Sequence, residues 1–112
     1  MKRLIAVLAA VAVTAGTVLA IPAFGATRSV SVRDNVFSPR TLTVRSGDTV
    51  RWVWRGRALH NVVTTSTPRG VSRFRSSLKR NGTYRKRLTR RGTYRILCTI
   101  HAPDMRMTIR VR

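Results

Sequence analysis

Eight residues near the end of this chain, Cys98-Thr99-Ile100-His101-Ala102-Pro103-Asp104-Met105, contain its single cysteine, one of its two histidines and one of its three methionines. The other histidine, His60, stands upstream in Ala58-Leu59-His60-Asn61-Val62-Val63. A thiolate, two imidazoles and a thioether make a donor set suited to copper: soft sulfur holds Cu(I), imidazole accepts Cu(II), and methionine offers a long axial contact. The spacing allows it. Cys98 closes a predicted strand, His101 falls on the turn that follows and Met105 opens the next strand, so one hairpin loop supplies three donors while His60 arrives from elsewhere. Met107 is a rival axial donor, because strand alternation puts it on the same face as Met105. Met105 is favoured, since Met107 reads more simply as a core residue one step further along. A lone buried cysteine behaves as a small hydrophobe, but that reading explains neither histidine.

The elements that must position these donors read as strands. Alternation dominates the sequence and helical periodicity is nearly absent. Val30 and Val32 lead to a break at Pro39, and Leu42 and Val44 resume the pattern. Ser46-Gly47-Asp48 reads as a turn before Val50, Trp52 and Trp54, which share one face. Ala58 to Thr64 and Gly70 to Ser76 are further candidate strands. Two near-copies beginning Gly-Thr-Tyr, at Gly82 and Gly92, predict two strands joined by a tight turn at Arg90-Arg91-Gly92, with Tyr84 and Tyr94 packing at the starts of paired strands. The last strand alternates Met105, Met107, Ile109 and Val111 against Arg106, Thr108, Arg110 and Arg112. About seven to eight short strands predict an all-β sandwich with antiparallel or mixed pairing. Trp52 is expected in the core and Trp54 closer to the donors.

Residues 1–25 differ from the rest. Lys2 and Arg3 precede the unbroken apolar run Leu4 to Val13, and small residues at Ala23 and Gly25 fit cleavage after Gly25. A signal peptide and an exported, periplasmic, cell-surface or secreted protein are therefore expected, with residues 26–112 as one domain. An uncleaved anchor is the competing reading, since Leu4 to Phe24 is about long enough to span a bilayer. Cleavage would leave 87 residues and lower the formal charge from +20 to +18, because Lys2 and Arg3 are the only charges removed. With 23 Lys and Arg against 3 acidic residues, the chain attracts acidic surfaces at low salt. Solvated strand faces account for most of this charge, and no base-reading motif points to specific nucleic-acid binding.

The stretches Ser46 to Trp54, His60 to Val63 and Gly92 to His101, together with Met105, resemble the cupredoxins, the blue copper family that includes plastocyanin, pseudoazurin and amicyanin. The resemblance runs from about Val30 to Val111. It implies a Greek-key β-sandwich with one type 1 copper ion at one end, held by His60, Cys98, His101 and Met105. It also implies that the Asn61 backbone N–H hydrogen-bonds the ligand sulfur. The spacer Ala102-Pro103-Asp104 between His101 and Met105 leaves the subfamily open.

The function implied is one-electron transfer without a substrate, with the exposed edge of His101 as the electron port. Ala102 and Pro103, with Leu59 near His60, would form an apolar docking patch for a transient redox protein, and the high positive charge of this chain points to a partner with an acidic surface. A monomer is expected, and membrane contact only through a retained N-terminal segment or surface attraction. An enzyme is not expected: copper oxidases and nitrite reductases need further histidines, and a binuclear copper centre needs a second cysteine. The alternative function is copper buffering or delivery outside the cytoplasm with the same ligands.

Overall fold

The computed structural model describes residues 25–112, so the expected signal peptide lies outside the described residues except for Gly25. Eight strands follow: β1 Thr27–Arg33, β2 Val36–Ser38, β3 Thr41–Val44, β4 Asp48–Trp54, β5 Val63–Ser66, β6 Thr83–Leu88, β7 Gly92–Leu97 and β8 Arg106–Val111. They form two four-stranded sheets, ordered β2-β1-β4-β6 and β3-β8-β7-β5. Pairing is mixed, one of the two arrangements the alternation left open: β1 runs parallel to β4 and β3 parallel to β8, and the other named strand pairs are antiparallel. Among the described residues no helix is long and apolar enough to cross a membrane.

Alternation decides the core. In β4, Val50, Trp52 and Trp54 point inward, while β8 contributes Met107, Ile109 and Val111 from the opposite sheet. Burying side chains of this size contributes about 1.5–3 kcal/mol each. The intervening arginines, such as Arg106 and Arg110, face solvent. The turn into β4 needs Gly47, whose φ of 99° suits the third position of a tight turn closed by the Asp48 N–H on Arg45 O at 2.9 Å. Asp48 is nearly buried and its carboxylate accepts from the N–H groups of Ala26 and Arg45, each at 2.9 Å, which ties the start of the domain to this turn.

Two expectations change. Gly70 to Ser76 forms no strand. Thr64 Oγ1 takes the Phe74 N–H at 2.9 Å and Ser76 Oγ takes the Val62 N–H at 2.9 Å, so side chains replace part of a ladder and only an isolated bridge, Val63 with Arg75, remains. The Ala58 to Thr64 strand is likewise displaced: β5 begins at Val63 and runs on to Ser66, and His60 makes an isolated bridge with Lys79. The second change concerns the near-copies. Strands β6 and β7 are consecutive but lie in different sheets, so their tight connection crosses the sandwich rather than closing a hairpin. Tyr84 and Tyr94 therefore do not pair across one sheet. They pack on Phe74 from the two sheets, with ring centroids at 6.4 and 6.5 Å.

The crossing is pinned by Tyr94, whose hydroxyl donates to Arg90 O at 2.8 Å. Replacing Tyr94 by Phe keeps the ring and removes this bond, and is expected to cost about 1 kcal/mol. A lower urea midpoint at unchanged slope for metal-free protein would show it.

Candidate metal centre

The loop between β7 and β8 closes on its own backbone. A single 3-10 turn, Thr99–His101, follows Cys98. The Cys98 N–H donates to Met105 O at 2.9 Å, the Met105 N–H to His101 O at 3.1 Å, and the His101 N–H to Cys98 O at 3.3 Å. The three donors that the sequence groups together are thus bound to one another by main chain. His60 comes from the segment before β5 and is anchored by two reciprocal backbone bonds with Lys79, at 3.0 and 3.1 Å.

These elements bring His60, Cys98 and His101 into one cluster, with Nδ1 of His60 at 3.8 Å and Nδ1 of His101 at 3.5 Å from Cys98 Sγ. Metal bonds of about 2.0 Å to nitrogen and about 2.3 Å to sulfur, at angles of about 110–120°, separate N from S by about 3.5–3.7 Å. The cluster therefore fits one small ion, and its chemistry fits copper. His60, Cys98 and Met105 are fully buried, whereas His101 is half-buried. Met107 is engaged elsewhere: its sulfur accepts the Trp52 indole N–H at 3.4 Å in the core.

Buried polar groups around the cluster are satisfied. Trp54 Nε1 donates to His60 O at 3.1 Å, and the Lys79 ammonium sits 4.9 Å above the Trp54 ring. His60 Nε2 lies 2.9 Å from Asp34 Oδ1. The Ala58 N–H, the His60 ring and the Arg57 N–H together lower the Asp34 carboxyl to about 2. Asn61 works through its side chain: Nδ2 donates to Thr99 Oγ1 at 2.9 Å, and Oδ1 accepts the Thr99 N–H at 2.8 Å. The expected hydrogen bond from the Asn61 backbone to sulfur is absent among the described residues, and the side chain instead clamps the residue after Cys98.

The family model for copper binding proteins of the plastocyanin/azurin family matches residues 26–112. The chain belongs to this family. Solved structures agree. A variant of amicyanin in its reduced Cu(I) form at pH 4 is 30% identical, with 77% of this chain and 82% of that chain covered and a TM-score of 0.68. A pseudoazurin from Sinorhizobium meliloti, 22% identical over 78% of this chain and 74% of that chain, shares the fold with a TM-score of 0.70. A copper-containing nitrite reductase from Thermus scotoductus is 27% identical with a TM-score of 0.64; the match covers 76% of this chain but 22% of that one. No curated protein sequence matches significantly. The chain is thus a copper-binding cupredoxin, and His60, Cys98, His101 and Met105 form its type 1 copper site pattern.

Sequence reasoning missed two features of this cupredoxin's site. Thr99 was unremarkable as sequence, yet it receives the Asn61 clamp. Asp34 sits 26 residues before His60, and its rarity among so many cations was the one available sign. Asn61 is nearly buried, so Asn61→Ala leaves the Thr99 N–H without its partner. A loss of about 1–3 kcal/mol is expected in denaturation of the metal-free protein.

Proposed function

We propose that this cupredoxin is an exported one-electron carrier whose copper is held by His60, Cys98, His101 and Met105. When bound, copper supplies the Cu(I)/Cu(II) couple. The observation that carries the reading is the combination of convergence and burial: three donor atoms lie at spacings suited to one ion, and only the His101 ring reaches toward solvent. The buried residues exclude water and hold the donors in one arrangement, so little rearrangement accompanies a change of charge. His101 offers the short route outward for the electron. Engagement of Met107 by Trp52 supports Met105 as the axial donor. Complete burial of His60 and Cys98 disfavours a buffer that must release its metal readily.

Docking would use the surface around His101. Ala102 and Pro103 are exposed, Leu59 is half-buried, and Ile100 adds a side chain 50% exposed. Beside this patch, an open groove of about 760 Å³ is lined by Arg40, Arg95 and Arg106 together with Pro103 and Asp104. A small apolar contact flanked by arginines suits brief encounters with an acidic redox protein. Export would remove residues 1–25. Cleavage after Gly25 would turn the Ala26 N–H into an ammonium already 2.9 Å from Asp48 Oδ1; the intact mass of protein recovered outside the cytoplasm checks the cleavage point.

Protein with one equivalent of Cu(II) should show intense visible thiolate-to-copper absorption, bleached by reductant and restored by oxidant. Cys98→Ser should abolish the band, Met105→Leu should alter the potential, and Met107→Leu should leave both nearly unchanged. Persistent colour in the serine variant would refute the ligand assignment. Rapid loss of copper to chelators without electron transfer would favour buffering. Arg95→Glu with Arg106→Glu should slow electron transfer to an acidic partner and flatten its salt dependence, measured by stopped-flow at several ionic strengths.

A further inference from the structure

A neutral imidazole carries one proton, so one ring nitrogen donates and the other offers a lone pair. What faces Nε2 decides which. In His60 that atom meets Asp34 Oδ1 at 2.9 Å, and the same oxygen accepts the N–H groups of Arg57 and Ala58 at 2.9 Å each. Asp34 Oδ2 takes a second bond from the Arg57 N–H at 3.0 Å. Donors from one loop and one ring hold the carboxylate in place. An ionised carboxylate only accepts, so Nε2 must donate and Nδ1 keeps its lone pair, 3.8 Å from Cys98 Sγ.

The chain also makes room for this carboxylate. Asp34 follows β1 in the turn to β2, where Asn35 takes φ 67°. Across from it, a Cβ on Gly56 would overlap the Asp34 carboxylate and come within 2.8 Å of its backbone nitrogen. Gly56 has no positive φ, so this glycine serves space and not backbone freedom. The chain has 23 Lys and Arg, yet among the described residues the side chain that engages this carboxylate is a buried histidine.

We propose that Asp34 is the positioning residue of the copper site: it fixes His60 as the Nε2–H tautomer and, through its charge, makes Nδ1 a more electron-rich donor that favours Cu(II) over Cu(I). This rests on His60 being a ligand, as proposed above. Carboxylates that hold the far N–H of a ligating histidine typically govern metal affinity by 10–100-fold. Gly56 belongs to the same device, because a Cβ there would overlap the carboxylate that holds His60.

The test compares the domain with Asp34→Asn, which removes the charge, and Gly56→Ala, which keeps the charge and displaces it. Ring nitrogen shifts of His60 in metal-free protein report the tautomer, and Cu(II) affinity and reduction potential report the charge. Wild-type His60 should be the Nε2–H tautomer. Asp34→Asn should weaken Cu(II) binding about 10–100-fold with less effect on Cu(I); each tenfold selective loss raises a one-electron potential by about 59 mV. Gly56→Ala should move the potential in the same direction. An Nδ1–H tautomer in the wild type would overturn the proposal. So would an Asp34→Asn protein that is less stable but unchanged in tautomer and potential, which would make Asp34 a loop tie only. Absence of the visible band in wild type would defeat the ligand reading instead, and the metal-free tautomer would still judge Asp34.

Discussion

A thiol and an imidazole stripped of water at the end of a β-sandwich need fixed polar neighbours, and the rest of this domain depends on supplying them. Buried polar groups are costly unless paired, and a low local dielectric magnifies both the cost and the benefit. Here each neighbour comes from a different part of the chain. Main-chain bonds within Cys98 to Met105 fix one side, the Trp54 indole and the Lys79 backbone fix His60, and Asn61 joins the His60 segment to Thr99. The sheets place these segments side by side, and the hydrogen bonds then lock them.

The charge distribution follows a related division of labour. Arginines occupy outward positions on strands whose inward positions are Val, Ile, Trp or Met, so a high charge coexists with a dry core. Carboxylates are scarce, and two of the three have internal roles. Asp48 closes the turn into β4, and Asp34 gathers two loop amides and an imidazole. The third, Asp104, is exposed beside the arginine-lined groove. The exterior is therefore strongly positive overall, with arginines flanking a metal loop that is itself uncharged apart from Asp104, which steers encounter without dictating fold.

Much of the site was legible because its chemistry is carried by rare residue types. One cysteine and two histidines in 112 residues leave few alternatives, and their spacing matches strand ends and a turn. Strand existence was legible for the same kind of reason, since period-two alternation survives in β1, β4 and β8. Pairing was less so. The Gly-Thr-Tyr copies look like a hairpin, but β6 and β7 belong to opposite sheets, because each finds a better partner in β4 and β8. Gly70 to Ser76 alternates like a strand, yet Thr64 and Ser76 hydroxyls compete for its backbone bonds.

The sequence by itself determined the donor types, the apolar and charged faces of the strands, and the copper chemistry that soft sulfur with two imidazoles supports. Tertiary structure decided which methionine sulfur the core engages, which face of His60 meets the cluster, and which acidic residue stands behind it. The physical reason is range. Alternation and ligand spacing are local properties of the chain, whereas the Asp34 to His60 and Trp52 to Met107 contacts join residues 26 and 55 positions apart, and only the packing of two sheets sets them.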